Sequence, residues 1–209
     1  MKQSILNRIK ELGGNIENVK GNSLLEDICS ITFNSVLYKR PTGLPWAEEG
    51  EEEPICGIGE FINDNKELIT SDIQKLYDKI LEKYYTLTEE GFGQMFWKAE
   101  LFTPFKEGTD DFIEWNDDFI DNEEVNLSEI FELTNNSKPD FIQLFYSYGF
   151  PDSYYICLSD PNPENPILFG TDNEVFFSEV TNEGTLEDIL NSFMSKGELL
   201  KIIKSKLKK

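Results

Sequence analysis

The sequence predicts a mixed fold of helices and strands, on the strength of two patterns. Apolar residues recur at helical spacing in capped segments, most clearly over 71–84 and 185–194. Short apolar runs, 141–147 (FIQLFYS) and 154–158 (YYICL), flank a tight turn at 149–152 (GFPD), as in a hairpin. The elements follow in chain order.

Residues 4–12 carry Ile5, Ile9 and Leu12 on one helical face and stop at Gly13-Gly14, a C-terminal helix signal. The opening MKQSILNRIKELGG therefore reads as an amphipathic helix and not as a secretory leader. Residues 28–38 (ICSITFNSVLY) alternate, Ile31, Phe33 and Ser35 against Thr32, Asn34 and Val36, which predicts a half-buried strand. Residues 55–62 read as a second strand. Ser71 opens a capping box with Gln74, and Ile73, Leu76, Tyr77, Ile80, Leu81 and Tyr84 follow as one stripe. Residues 92–105 (FGQMFWKAELFTPF) are aromatic-rich without a clear period, and their rings are expected in the core.

Thr109 starts a further helix, with Phe112, Trp115 and Phe119 turned inward. A short helix over 127–134 shows Leu127, Ile130 and Phe131 on one side. Beyond the 141–158 hairpin, three prolines mark 159–166 as a linker. Residues 167–169 and 174–180 then predict a last hairpin around Gly170-Thr171-Asp172-Asn173, with Val175 and Phe177 alternating against Phe176 and Ser178. Thr185 is a natural N-cap, and Leu186, Ile189, Leu190, Phe193 and Met194 form a face for the sheet. Ser195 and Glu198 open a second C-terminal helix at once.

Charge limits the function. Nineteen Lys and Arg stand against 40 Asp and Glu, a formal net of -21. The tail 195–209 holds six lysines and one acid, so the rest of the chain carries 13 bases against 39 acids. Such a surface repels nucleic-acid phosphates and anionic lipid and draws basic proteins. Solubility alone is the plainer explanation of the same acidity. No apolar run approaches the ~20 residues that a membrane span needs. Cys29, Cys56 and Cys157, odd in number and each among apolar neighbours, read as buried free thiols of a cytoplasmic protein.

The chain has no histidine, which removes Ser-His-Asp and Cys-His nucleophiles and His-based metal sites. It has no Walker-type phosphate loop, and Gly57-Ile58-Gly59-Glu60 lacks the third glycine of a dinucleotide fingerprint. With 40 acids, neighbouring carboxylates arise by chance, so they do not single out a glycosidase pair. Asp110 to Asp121 lacks the central glycine and closing Glu of a calcium loop. These residues predict no catalytic, cofactor or metal site.

Two acid concentrations remain as candidate partner-binding surfaces. Residues 107–124 hold nine acids and no base, among them Asp110, Asp111, Glu114, Asp117, Asp118 and Asp121. Acids in a last helical turn oppose the helix dipole, so helix stability does not explain Asp117, Asp118 and Asp121. A field for a basic partner explains them; so does drift on a solvated face. Residues 48–53, with Glu49, Glu51 and Glu52, are a solvated loop or a docking run. Asp172 and Glu174 are a third place to look.

The order of elements over 127–194 also carries a resemblance. "DFIQLFYSYGFPDSYYICLSD", "ENPILFG", the turn GTDNE, an aromatic strand and a helix closing on "ILNSF" resemble the end of SUKH superfamily domains. Residues 1–125 match that pattern poorly, and Asn173 stands where many members have His, so no imidazole role carries over. The resemblance implies an α+β fold, helices packed around a mostly antiparallel sheet, with 127–194 as the SUKH-like core. The residues themselves add the two C-terminal helices, the second basic over 195–209, and predict a single domain over 1–209. The resemblance further implies an immunity protein that binds a cognate toxin, often a nuclease, without catalysis. A nucleic-acid-mimicking inhibitor, a carboxylate-pair enzyme and a scaffold unrelated to toxins stay open beside it.

Overall fold

In the computed structural model, which describes residues 1–40, 53–87 and 93–208, side-chain caps fix where helices start. Ser23, Asp72, Thr109, Thr185 and Ser195 each accept the backbone N–H three residues on, satisfying an orphan amide of the first turn. The helices that follow are α2 (Leu24–Ser30), α5 (Ile73–Tyr85), α6 (Asp110–Phe119), α8 (Leu186–Ser192) and α9 (Lys196–Lys206). The others are α1 (Gln3–Glu11), α3 (Ile58–Asp64), α4 (Glu67–Ser71) and α7 (Ser128–Thr134). Full capping boxes close the starts of α8, through Asp188, and α9, through Glu198.

The strands β1 (Gly14–Asn15) and β2 (Thr32–Phe33) form a small antiparallel pair. The main sheet runs in chain order through β3 (Leu37–Tyr38), β4 (Gln94–Phe102), β5 (Phe141–Ser147), β6 (Ser153–Cys157), β7 (Ile167–Thr171) and β8 (Thr181–Thr185). Every pairing in it is antiparallel; a tight turn joins β5 to β6, whereas helices fill the connections from β3 to β4 and from β4 to β5.

Alternation along β6 separates two of the cores. Tyr154 and Ile156 join Ile5 and Ile9 of α1, Ile28 of α2 and Leu190 of α8. Tyr155 and Cys157, on the opposite face, join Phe119 of α6, Ile130 of α7 and Phe177. A third core gathers α3, α4, α5 and α9 against Tyr38 and Phe96.

Several sequence expectations need correction. The strand expected over 28–38 is the end of α2 followed by two short strands. Ser23 caps α2, and the alternation stops where Ser35, Val36, Leu37 and Tyr38 are all buried. The strand expected over 55–62 is helical: Ile58, Phe61 and Ile62 lie at i, i+3 and i+4 and pack on α5. Asp72, not Ser71, caps α5; the Ser71 hydroxyl closes α4 by donating to the Glu67 carbonyl (2.7 Å). Ile73 is correspondingly exposed, whereas Leu76, Tyr77, Ile80 and Tyr84 are buried as expected.

The unclear period of the aromatic segment has a cause. β4 is buried on both faces, Met95 and Trp97 against one core and Phe96 and Phe102 against the other two. A bulge between Trp97 and Glu100, with Ala99 at φ 56°, interrupts its pairing. Phe96 and Phe102 are buried as expected. All three cysteines are free, but only Cys157 is buried; Cys29 and Cys56 are exposed. Cys29 lies on the exposed side of α2, so its apolar neighbours in sequence do not enclose it.

The largest correction is over 174–180. These residues form a folded turn, with Phe177 at φ 53° and fully buried, and the last strand is β8, whose TNEGT sequence has no apolar pattern. Thr171 pins the turn: its hydroxyl donates to the Glu179 carbonyl (3.1 Å) and accepts the Phe177 N–H (2.9 Å).

An ion-pair network ties α1 to the two C-terminal helices. Arg8 donates to the Phe193 carbonyl (2.6 Å) and to Glu198 (3.1 Å), Arg40 also meets Glu198, and Glu198 accepts the Ser195 N–H (2.7 Å). Burial pushes the Glu198 pKa up, but the Ser195 hydrogen bonds and Arg8 outweigh it and hold the carboxyl below its ordinary 4.5. A depressed carboxyl pKa adds stability above the unfolded value and loses it as pH falls through the folded one. Glu198→Gln is therefore expected to lower neutral-pH stability by on the order of 1 kcal/mol. That gap should close below about pH 4.5. Urea melts from pH 7 to 3 check this; a gap that widens on acidification reverses the assignment.

Candidate functional site

α6 spreads its acids around the helix at 100° per residue, and the structure sorts them. Asp110, Glu114, Asp117 and Asp121 are exposed. Asp111 turns inward and accepts the Thr103 N–H (2.7 Å) and hydroxyl (3.1 Å), so it locks the approach to the helix and is not a free surface charge. This corrects the expectation that all six acids point outward. Phe119 is buried and Trp115 half-buried in the core, but Phe112 lies outside the core clusters despite sharing their face.

Asp118 is half-buried and lines a cleft of about 410 Å³ between α6 and the 172–178 turn. Asp172, Glu174 and Glu124 line the same cleft, and among the described residues no Lys or Arg does. Trp115 stacks on Phe176 at 4.5 Å, which fixes the helix against the turn and sets the cleft's width. The structure thus brings Asp118 together with Asp172 and Glu174, which are far apart in sequence. It leaves Asp110, Glu114, Asp117 and Asp121 on the outer surface. Glu49, Glu51 and Glu52 lie outside the described residues.

A second cavity, about 460 Å³, opens on the other side of the same turn. Asp172 and Glu174 are shared, and the tip of the β5–β6 hairpin supplies Tyr148, Phe150 and Asp152. Gly170 makes this juxtaposition possible: a Cβ there would meet the Pro151 side chain at 2.5 Å. Asp152 is 7% exposed, and its Oδ2 accepts the Asn173 N–H at 3.3 Å. The Tyr154 and Tyr155 phenols beside it are pushed far up, chiefly by burial. The Asp152 charge adds to both, after that of Glu183 at Tyr154.

Three features escaped the sequence reading. Ile113 (73% exposed) and Ile120 (47%) lie at i and i+7 on the surface of α6, beside the outer acids. They were visible as apolar residues off the Phe112–Trp115–Phe119 face. Asp152 carried no signal, since GFPD reads equally well as a solvated turn. Glu124 was counted among the acids of 107–124 without a place in the cleft.

Chemically, these surfaces can accept donors and attract cations. Among the described residues no group of three or more Cys, Asp or Glu is placed to hold a metal ion, and no helix is long and apolar enough to cross a membrane.

A six-stranded antiparallel sheet with helices packed around it, ending in α8 and α9, defines an α+β protein. Comparison with models of protein families, with curated proteins and with solved structures finds no match.

Proposed function

We propose that this is a non-catalytic, cytoplasmic immunity protein of SUKH type, which neutralises a cognate toxin by binding it through an acidic surface. The observation that carries the proposal is the cleft between α6 and the 172–178 turn, where Asp118, Glu124, Asp172 and Glu174 meet without a compensating Lys or Arg among the described residues. The hairpin, strand, turn, strand and capped-helix order from β5 to α8 supports the family reading. A nuclease toxin carries a basic cleft for its own substrate, and an acidic inhibitor is steered into it electrostatically. Exposed Ile113 and Ile120 add apolar contacts beside the acids, the usual anatomy of a binding patch. A nucleic-acid mimic would instead space its acids regularly along one elongated face; here Asp110, Glu114, Asp117 and Asp121 follow only one short helix and its end, while Asp118, Glu124, Asp172 and Glu174 converge on a cleft.

The test is kinetic. The partner is the product of a toxin gene beside this one, measured by surface plasmon resonance at low and high salt. Asp117→Asn/Asp118→Asn/Asp121→Asn is expected to slow association about tenfold at low salt, with the difference shrinking as salt rises and melting nearly unchanged. Association equal to wild type at every salt concentration would remove α6 from the interface. Absence of any complex would remove the immunity reading.

A further inference from the structure

The second cavity contains a carboxyl that the fold leaves half served. Asp152 is 7% exposed, and Oδ2 accepts the Asn173 N–H. Oδ1 is buried and no donor among the described residues reaches it. An undonated buried carboxyl oxygen is costly, and native proteins rarely keep one unless a bound group completes it. The terminal torsion of Asp is broad, so turning the carboxylate toward an incoming donor costs little.

The surroundings specify the donor. Asp172 and Glu174 line the cavity with Asp152, no Lys or Arg among the described residues does, and Lys98 lies over the ring of Tyr146, itself a lining residue. A bare metal ion is disfavoured, because these acids do not converge as a ligand group. Two large rings line the cavity: Phe150 (65% exposed), and Tyr148 (43%), which is held there edge-on against Phe96 (5.9 Å) and Tyr146 (5.5 Å). Carboxyls below and exposed rings above suit a flat, delocalised cation with several N–H donors.

The geometry points to an arginine side chain of the protein partner as the occupant of this cavity. Its guanidinium would donate to Asp152 Oδ1, face Asp172 and Glu174 with its remaining N–H groups, and stack on Tyr148 or Phe150. A lysine offers neither the fork nor the flat face. This inference rests on the reading of the protein as a partner-binding one and adds the residue type recognised.

The probe is the tripeptide Ac-Gly-Arg-Gly-NH2, titrated into the full ¹⁵N-labelled chain, with lysine and uncharged citrulline versions alongside. The arginine peptide is expected to shift the amides of Ser147, Gly149, Asn173 and Glu174 saturably, the lysine peptide at least threefold more weakly, and the citrulline peptide not at all. Asp152→Asn keeps an oxygen for the Asn173 N–H and removes the charge, and should weaken binding at least fivefold. If that variant does not fold, Phe150→Ala at an exposed position takes its place and should weaken binding at least twofold. Equal binding by the variant and wild type, or equal shifts with citrulline, overturns the inference. The same variant against the neighbouring toxin separates the two claims. A toxin that binds wild type and Asp152→Asn equally well leaves the partner reading standing without this pocket. A chain that takes the arginine peptide but no toxin keeps the pocket and loses the toxin.

Discussion

Phe177→Ala is expected to cost about 3–5 kcal/mol in urea melts, the range for truncating a fully buried ring. Phe177 is 0% exposed and lies 4.9 Å from the Tyr155 ring, 5.1 Å from Phe119 and 5.5 Å from Phe141. Its N–H donates to Thr171 and its carbonyl accepts the Asn126 N–H at 2.9 Å, so the residue joins the sheet, α6 and the approach to α7. The backbone pays for this position in strain, since φ is 53°, a region costing a non-glycine residue about 1–2 kcal/mol. Phe177→Gly should therefore be no worse than Phe177→Ala, although glycine is normally the more destabilising choice. Both variants should also weaken partner association, because the turn they loosen carries Asp172 and Glu174. A loss under about 1.5 kcal/mol for Phe177→Ala would mean that the turn does not depend on this ring.

The same residue shows why part of the fold could not be read in advance. Val175, Phe177 and Phe176 alternate as a strand does, yet a turn folded into the core meets the same demand for buried rings. The true edge strand, β8, pairs on one side only with β7 and so needs no apolar face. Helix starts were more legible, because a cap is a local device: Thr109, Thr185 and Ser195 lie where their side chains take up the third amide. Strand β5 was legible throughout, since burial on both faces makes it apolar along nearly its whole length. For the site, acid density was plain in the sequence. Which acids turn inward was not, since Asp111 depends on Thr103 and Asp152 on the approach of Pro151 to Gly170.

Leu190→Ala is expected to cost about 2–5 kcal/mol, with its spread set by how far the site collapses around the missing atoms. Leu190 is 0% exposed in the core where α1, α2 and α8 meet the sheet, beside Phe193, whose ring lies 5.4 Å from that of Phe145. Its carbonyl also accepts Arg8 Nε at 3.3 Å, so α8 is held to α1 by the backbone as well as by packing. Collapse should be limited with the sheet on one side and α1 on the other, which places the expected loss toward the upper end. Leu190→Met conserves volume and should cost less than about 1.5 kcal/mol. Asn191→Ala, one residue on and exposed, should stay within about 0.5 kcal/mol. A Leu190→Ala loss below about 1 kcal/mol would put this face of α8 at the surface. Leu190 and the acidic cleft belong to cores on opposite faces of the sheet. Partner association per folded molecule should therefore match wild type in Leu190→Ala while stability falls, the reverse of the pattern expected for the α6 acids.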